Sequence, residues 1–123
     1  VYVSRKRAGM PRITNEDTLA RRLEKSDFTS YCLEELTLPE QMDLFSRAEI
    51  VIAPHGAGLT NLLFATGCRV IEIFPGNPLN HYRLLSAALD LQYANTTGQQ
   101  KHKDADSEAP IDEVMTKLES MGG

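Results

Sequence analysis

Strand-like and helix-like segments alternate without a break along the first 94 residues of this chain. "VYVSR" (1–5) opens as a short strand, and "TNEDTLARRLEK" (14–25) follows as a helix. Thr14 or Asn15 is its cap, acids fill its first turn and bases its last. "FTSYCLE" (28–34) reads as the second strand. "TLPEQMDLFSRA" (37–48) then starts with Thr37 and Glu40 at capping-box spacing, and Met42, Leu44, Phe45 and Ala48 form its apolar stripe. "EIVIAP" (49–54) and "RVIEIF" (69–74) are strands on either side of a third helix, "GLTNLLFAT", which Gly67 closes. "NHYRLLSAALD" (80–90) is a fourth helix leading into a short strand at "LQYA". Because the Val, Ile and Phe runs lack an alternating polar face, these strands are buried on both sides. That predicts a parallel sheet covered by helices on both faces, a doubly wound, Rossmann-like α/β layer.

The length suits one such layer, predicted over residues 1–95. Residues 96–110, rich in Gln, Lys, Asp and Ser, read as a solvated linker. Past Pro110, Ile111, Val114, Met115 and Leu118 recur at helical spacing, which predicts an amphipathic helix over 111–123 that packs back onto the layer. A formal charge of −4, a pI near 5.3 and no basic run denser than "RKR" argue against a nucleic-acid partner. No apolar run approaches the roughly 20 residues that span a bilayer, so no membrane contact is expected within the chain. The chain opens on Val1, inside a strand, and the expectation is a part of a longer protein. Cys32 and Cys68 sit in separate apolar runs and read as buried free thiols, with no metal site or redox pair. Asn95-Thr96-Thr97 is formally a glycosylation acceptor.

In open α/β sheets, ligands sit beyond the carboxyl ends of the strands, so the residues just after each strand carry the most information. After the first come Arg5, Lys6, Arg7 and Arg12; after the third, His55, Gly56, Ala57 and Gly58; near the end of the fourth, Glu72, Pro75, Gly76 and Asn77. A strand that ends in a glycine-rich turn and feeds a helix aims unpaired N–H groups and a positive dipole end at one point, which suits an anion such as phosphate. A phosphorylated ligand with hydroxyls for Glu72 uses all three groups. Each residue also has a plainer reading. His55 could be a core histidine bonded to a carbonyl. Gly56 and Gly58 could serve only a tight turn, a role compatible with close approach of a phosphate. Asn61 could be an ordinary first-turn residue, its functional and plain readings being even. The arginines could be solvated charge, and Glu72 could have an Arg or Lys partner. Asn15 and Glu16 read equally well as cap and first-turn acid, and Gln41 reads as structural. "DAD" (104–106) reads as solvated charge, not as a metal motif.

Three blocks, "SRKRAGMPRITNED", "LTLPEQMDLFSRAEIVIAPHGAGLTNLLFATG" and "VIEIFP", together resemble the carboxy-terminal half of the glycosyltransferase family 61 proteins. The resemblance spans about residues 1 to 93. It implies one lobe of a GT-B architecture, in which this Rossmann-like lobe holds a nucleotide diphosphate sugar and an amino-terminal lobe, absent here, contacts a carbohydrate or glycoconjugate acceptor. Carried onto this chain, the family pattern falls on Arg5, Arg12, Asn15, Glu16, Gln41, His55, Gly56, Ala57, Gly58, Asn61 and Glu72. It implies donor or phosphate binding by Arg5, Arg12, His55, Gly56, Ala57, Gly58, Asn61 and Glu72, with His55 the best catalytic candidate. It also implies inverting transfer to a hydroxyl without a metal or other cofactor. The alternatives are a nucleotide-sugar epimerase or hydrolase, or a non-catalytic nucleotide-sugar binding module. The compartment is open: cytoplasmic in a bacterium, the secretory lumen in a eukaryote.

Overall fold

A computed structural model of the protein describes residues 1–4, 13–76, 79–100 and 107–122. Five strands form one all-parallel sheet: β1 (Tyr2–Val3), β2 (Ser30–Tyr31), β3 (Ile50–Pro54), β4 (Arg69–Phe74) and β5 (Gln92–Thr97), in the order β2-β1-β3-β4-β5. The connecting helices are α1 (Glu16–Glu24), α2 (Leu38–Arg47) and α3 (His81–Ala88), and α4 (Ile111–Ser120) follows the sheet. The unbroken apolar runs have the cause expected of them. Val51, Ala53 and Val70 join Leu44, Phe45, Leu59 and Leu62 on one face of the sheet. Ile50, Ile52, Ile71 and Ile73 join Leu19 and Leu23 of α1 and Val114 and Leu118 of α4 on the other. The sheet is therefore doubly wound. Thr37 caps α2 as its spacing predicts: its hydroxyl accepts from the Glu40 N–H at 3.3 Å, and the Glu40 carboxylate accepts from the Thr37 N–H at 2.8 Å.

Two segments depart from the predicted elements. "FTSYCLE" yields only the two residues of β2 before the chain turns into a 3₁₀ turn at Leu33–Glu35. Gln41 on α2 explains the early stop: its side-chain amide donates to the carbonyls of Leu33 (3.0 Å) and Leu36 (3.3 Å), holding this stretch against α2. The third helix is a 3₁₀ helix, Ala57–Phe64. Leu59 and Leu62 are buried while Thr60 and Leu63 are exposed, a period of three that suits the three residues per turn of that helix.

The segment 96–110 is also corrected in its described part. β5 runs on to Thr97, and β6 (Gln99–Gln100) pairs antiparallel with β7 (Ser107–Glu108). "DAD" lies outside the described residues. Asn15 secures the far side of this hairpin with a two-way bond to the Ala109 backbone, its amide donating to the carbonyl at 2.9 Å and its oxygen accepting from the N–H at 2.8 Å. Composition alone concealed these anchors, because the bonds are made by backbone groups and by Asn15, distant in sequence.

Gly98 is where the hairpin leaves β5, and its N–H donates to the Phe74 carbonyl at 2.7 Å. A Cβ there stands 2.6 Å from the Glu108 carbonyl oxygen and 3.2 Å from that of Phe74, both rigid backbone atoms. Gly98→Ala is therefore expected to destabilise the chain by about 1–3 kcal/mol, more than the several tenths gained by stiffening the unfolded state. Urea unfolding checks this, and an unchanged midpoint contradicts the close approach. Cys32 and Cys68 are both free thiols, the second buried. Asn95-Thr96-Thr97 falls within β5, with Thr96 buried. Among the described residues, no helix is long and apolar enough to cross a membrane.

Candidate functional site

The strand order reverses between β1 and β3, and in such sheets the crevice beyond the carboxyl ends of the two central strands is where ligands bind. His55 is the first residue past β3, and its N–H donates to the Ile73 carbonyl at 2.9 Å, extending the β3–β4 ladder to the rim. Gly56 continues in an extended conformation, and Ala57 and Gly58 open the 3₁₀ helix. The first N–H groups of such a helix lack intrahelical acceptors, and this helix starts two residues after His55.

The imidazole meets a buried acid. Its Nδ1 lies 2.6 Å from Oε2 of Glu72, which is wholly buried in the middle of β4. The other carboxylate oxygen, Oε1, accepts from the Tyr93 hydroxyl at 2.6 Å. A carboxylate only accepts, so where Glu72 accepts from both neighbours the donors are the Tyr93 hydroxyl and His55 Nδ1, and Nε2 is turned away from Glu72. Burial first, and the bond to Glu72 second, push the Tyr93 phenol far above its usual value, so the hydroxyl keeps its proton. Around the ring stand Phe74, stacked at 5.3 Å between centroids, Tyr82 at 5.5 Å and His81 at 6.0 Å. The His55 side chain keeps 24% of its surface exposed.

Two of the predicted ligand residues have partners within the chain. Glu72 was expected to face ligand hydroxyls, or else an Arg or Lys. Instead both of its oxygens are engaged by His55 and Tyr93, since a carboxylate cut off from water needs donors on each oxygen. Asn61 is buried, and its side-chain amide donates to Gln41 at 2.8 Å. Gln41 passes that restraint on to Leu33 and Leu36, so these two amides tie the 3₁₀ helix to α2. Glu16 accepts from the Tyr2 hydroxyl at 2.9 Å, and Asn15 holds Ala109. Arg5, Arg7 and Arg12 lie outside the described residues, as does Asn77. A cleft of about 360 Å³ opens at the ends of β1 and β2, lined by Ser4, Glu16, Arg21 and Ser30 among others. Among the described residues, no group of three or more His, Cys, Asp or Glu is arranged to hold a metal ion.

Sequence reasoning missed Tyr93, Tyr82 and His81. His81 follows the same strand as Glu72, so the rule of inspecting strand exits reaches it once the intervening turn is counted in. Tyr93 carries no local signal. Its meeting with Glu72 follows from the β4–β5 register, in which Val70 pairs with Tyr93 and Glu72 with Asn95, placing Tyr93 diagonally opposite the acid on the same face.

Compared with known families, the chain matches the family model described as Glycosyltransferase 61 over residues 1–71, more than half of its length. His55 lies inside the match, while Glu72 and Tyr93 lie beyond it. No curated protein matches the chain.

Proposed function

The chain belongs to glycosyltransferase family 61, and from that premise we propose that it is the donor-binding lobe of a two-lobed, GT-B type transferase. The substrate is a nucleotide diphosphate sugar, and the acceptor is a hydroxyl of a carbohydrate or glycoconjugate. The observation that carries this reading is His55 at the switch-point rim, oriented by a buried carboxylate and set beside the start of a glycine-containing 3₁₀ helix.

In the proposed reaction the acceptor oxygen forms a bond to the anomeric carbon as the bond from that carbon to the diphosphate oxygen breaks, with inversion. The hydroxyl proton passes to a base supplied outside the groups described here, and the diphosphate leaves with the electron pair. Charge grows on the phosphates as the bond breaks. In this reading backbone N–H groups after His55, and the imidazole held by Glu72, stabilise that charge. Arg5 and Arg12 add positive charge in this reading, and no divalent ion is required.

Titrating the chain with UDP, GDP and CMP while following amide NMR shifts tests the proposal. Nucleoside diphosphates should move the signals of residues 55 to 61 at millimolar concentration. His55→Asn should weaken that binding by about tenfold to a hundredfold, the worth of one charge-assisted hydrogen bond. Asn is the better variant than Ala, because its amide can still donate to Glu72 and spares the buried carboxylate. Absence of any shift at residues 55 to 61, or equal affinity for the variant, contradicts the donor-lobe reading.

A further inference from the structure

We propose that Tyr93 is a positioning residue for His55: acting through Glu72, its hydroxyl holds the imidazole with its proton on Nδ1 and its Nε2 toward the ligand side of the rim. The proposal rests on the donor-lobe reading for its purpose, but its geometry stands alone. Phe74, Tyr82 and His81 frame the ring by contact at 5.3, 5.5 and 6.0 Å between centroids. Ring faces of that kind can fix a plane, but they discriminate poorly between the two nitrogens. Only a directional bond does so, and the Nδ1 to Glu72 contact of 2.6 Å supplies it.

Glu72 is a flexible side chain with two equivalent oxygens, so its direction also has to be set. The Tyr93 hydroxyl, 2.6 Å from Oε1, leaves Oε2 as the oxygen that serves His55. Tyr93 is itself fixed by its place on β5, next to β4. The order of control therefore runs from strand register to phenol, from phenol to carboxylate, and from carboxylate to imidazole.

The relay predicts a reversal that loss of packing does not produce. In Glu72→Gln the acid becomes an amide with one accepting and one donating end. The Tyr93 hydroxyl claims the oxygen, so the NH₂ group faces His55 and donates to Nδ1, moving the ring proton to Nε2. Adding Tyr93→Phe removes that claim. The amide then turns its oxygen to His55, and the proton returns to Nδ1.

The readout is the His55 tautomer, from long-range 1H–15N correlations on the ligand-free, 15N-histidine-labelled chain buffered about two pH units above the ordinary imidazole value. The expected result is Nδ1–H in the parent, Nε2–H in Glu72→Gln, and Nδ1–H again in Glu72→Gln with Tyr93→Phe. The same tautomer in the single and double variants overturns the proposal. Tyr93→Phe alone keeps the acid and serves if the glutamine variants do not fold. The His55 Nδ1 proton should then exchange with water about tenfold faster, the worth of one lost hydrogen bond, and an unchanged rate also overturns the proposal. UDP titration of the same samples separates the two claims. Tautomers that switch while nucleotide affinity stays constant uphold the relay and sink the donor-lobe reading.

Discussion

Glu72→Ala is expected to lower the unfolding free energy by about 3 kcal/mol. Glu72 is fully buried and accepts two short bonds, from His55 and Tyr93. Its removal leaves two donors without an acceptor, each costing about 1–3 kcal/mol, and opens a void where the side chain stood. Relief from burying a charge offsets part of that cost. In a chain of this length the loss corresponds to a fall in Tm of roughly 10 °C. A control isolates the cause: Glu72→Met combined with His55→Leu and Tyr93→Phe removes donors and acceptor together and should recover most of the loss. Thermal and urea unfolding of the three proteins decide it. A Glu72→Ala variant within about 0.5 kcal/mol of the parent, the usual scatter of surface changes, shows that the network holds nothing together.

Sugar transfer gives the second large expectation, and it rests on the two-lobed reading. Closure of two lobes excludes water and completes the catalytic groups, so residues 1–123 alone should bind donor nucleotide weakly and transfer no sugar. EDTA should leave that binding unchanged. A longer chain that adds the upstream lobe should transfer, and His55→Asn within it should lower kcat by about a hundredfold, the typical effect of losing one preorganised donor to developing charge. The measurement is product formation from a panel of nucleotide sugars with simple acceptors, for both chains. Robust turnover by the 123-residue chain would falsify the two-lobe account and favour an epimerase or hydrolase.

The sheet was legible from sequence because its signals are local and redundant. The β3 and β4 runs lack polar alternation, Thr37 and Glu40 announce the start of α2, and Ile111, Val114 and Leu118 announce α4. His55 was legible for the same reason, since a histidine followed by Gly-Ala-Gly marks a strand exit. What stayed hidden depends on partners far along the chain. Glu72 read as a partner of ligand hydroxyls, or of an Arg or Lys, because it breaks an apolar strand, and its donors come from the end of β3 and from β5. For Asn61 the ligand and first-turn readings stood even because its acceptor, Gln41, lies twenty residues earlier in the chain. The hairpin at 99–108 was hidden because backbone pairing leaves little trace in a polar composition.

The place of β1 has a consequence for the order in which the fold is assembled. It is the first strand in the chain and one of the shortest, yet it lies between β2 and β3, with Tyr2 opposite Ile52. Pairing β3 with β4, or β4 with β5, closes a single short crossover, whereas joining β1 to β3 closes a loop of about fifty residues, and the entropy of that closure is met before the contact rewards it. β1 therefore docks late, and the switch point between β1 and β3 is complete only in the finished sheet.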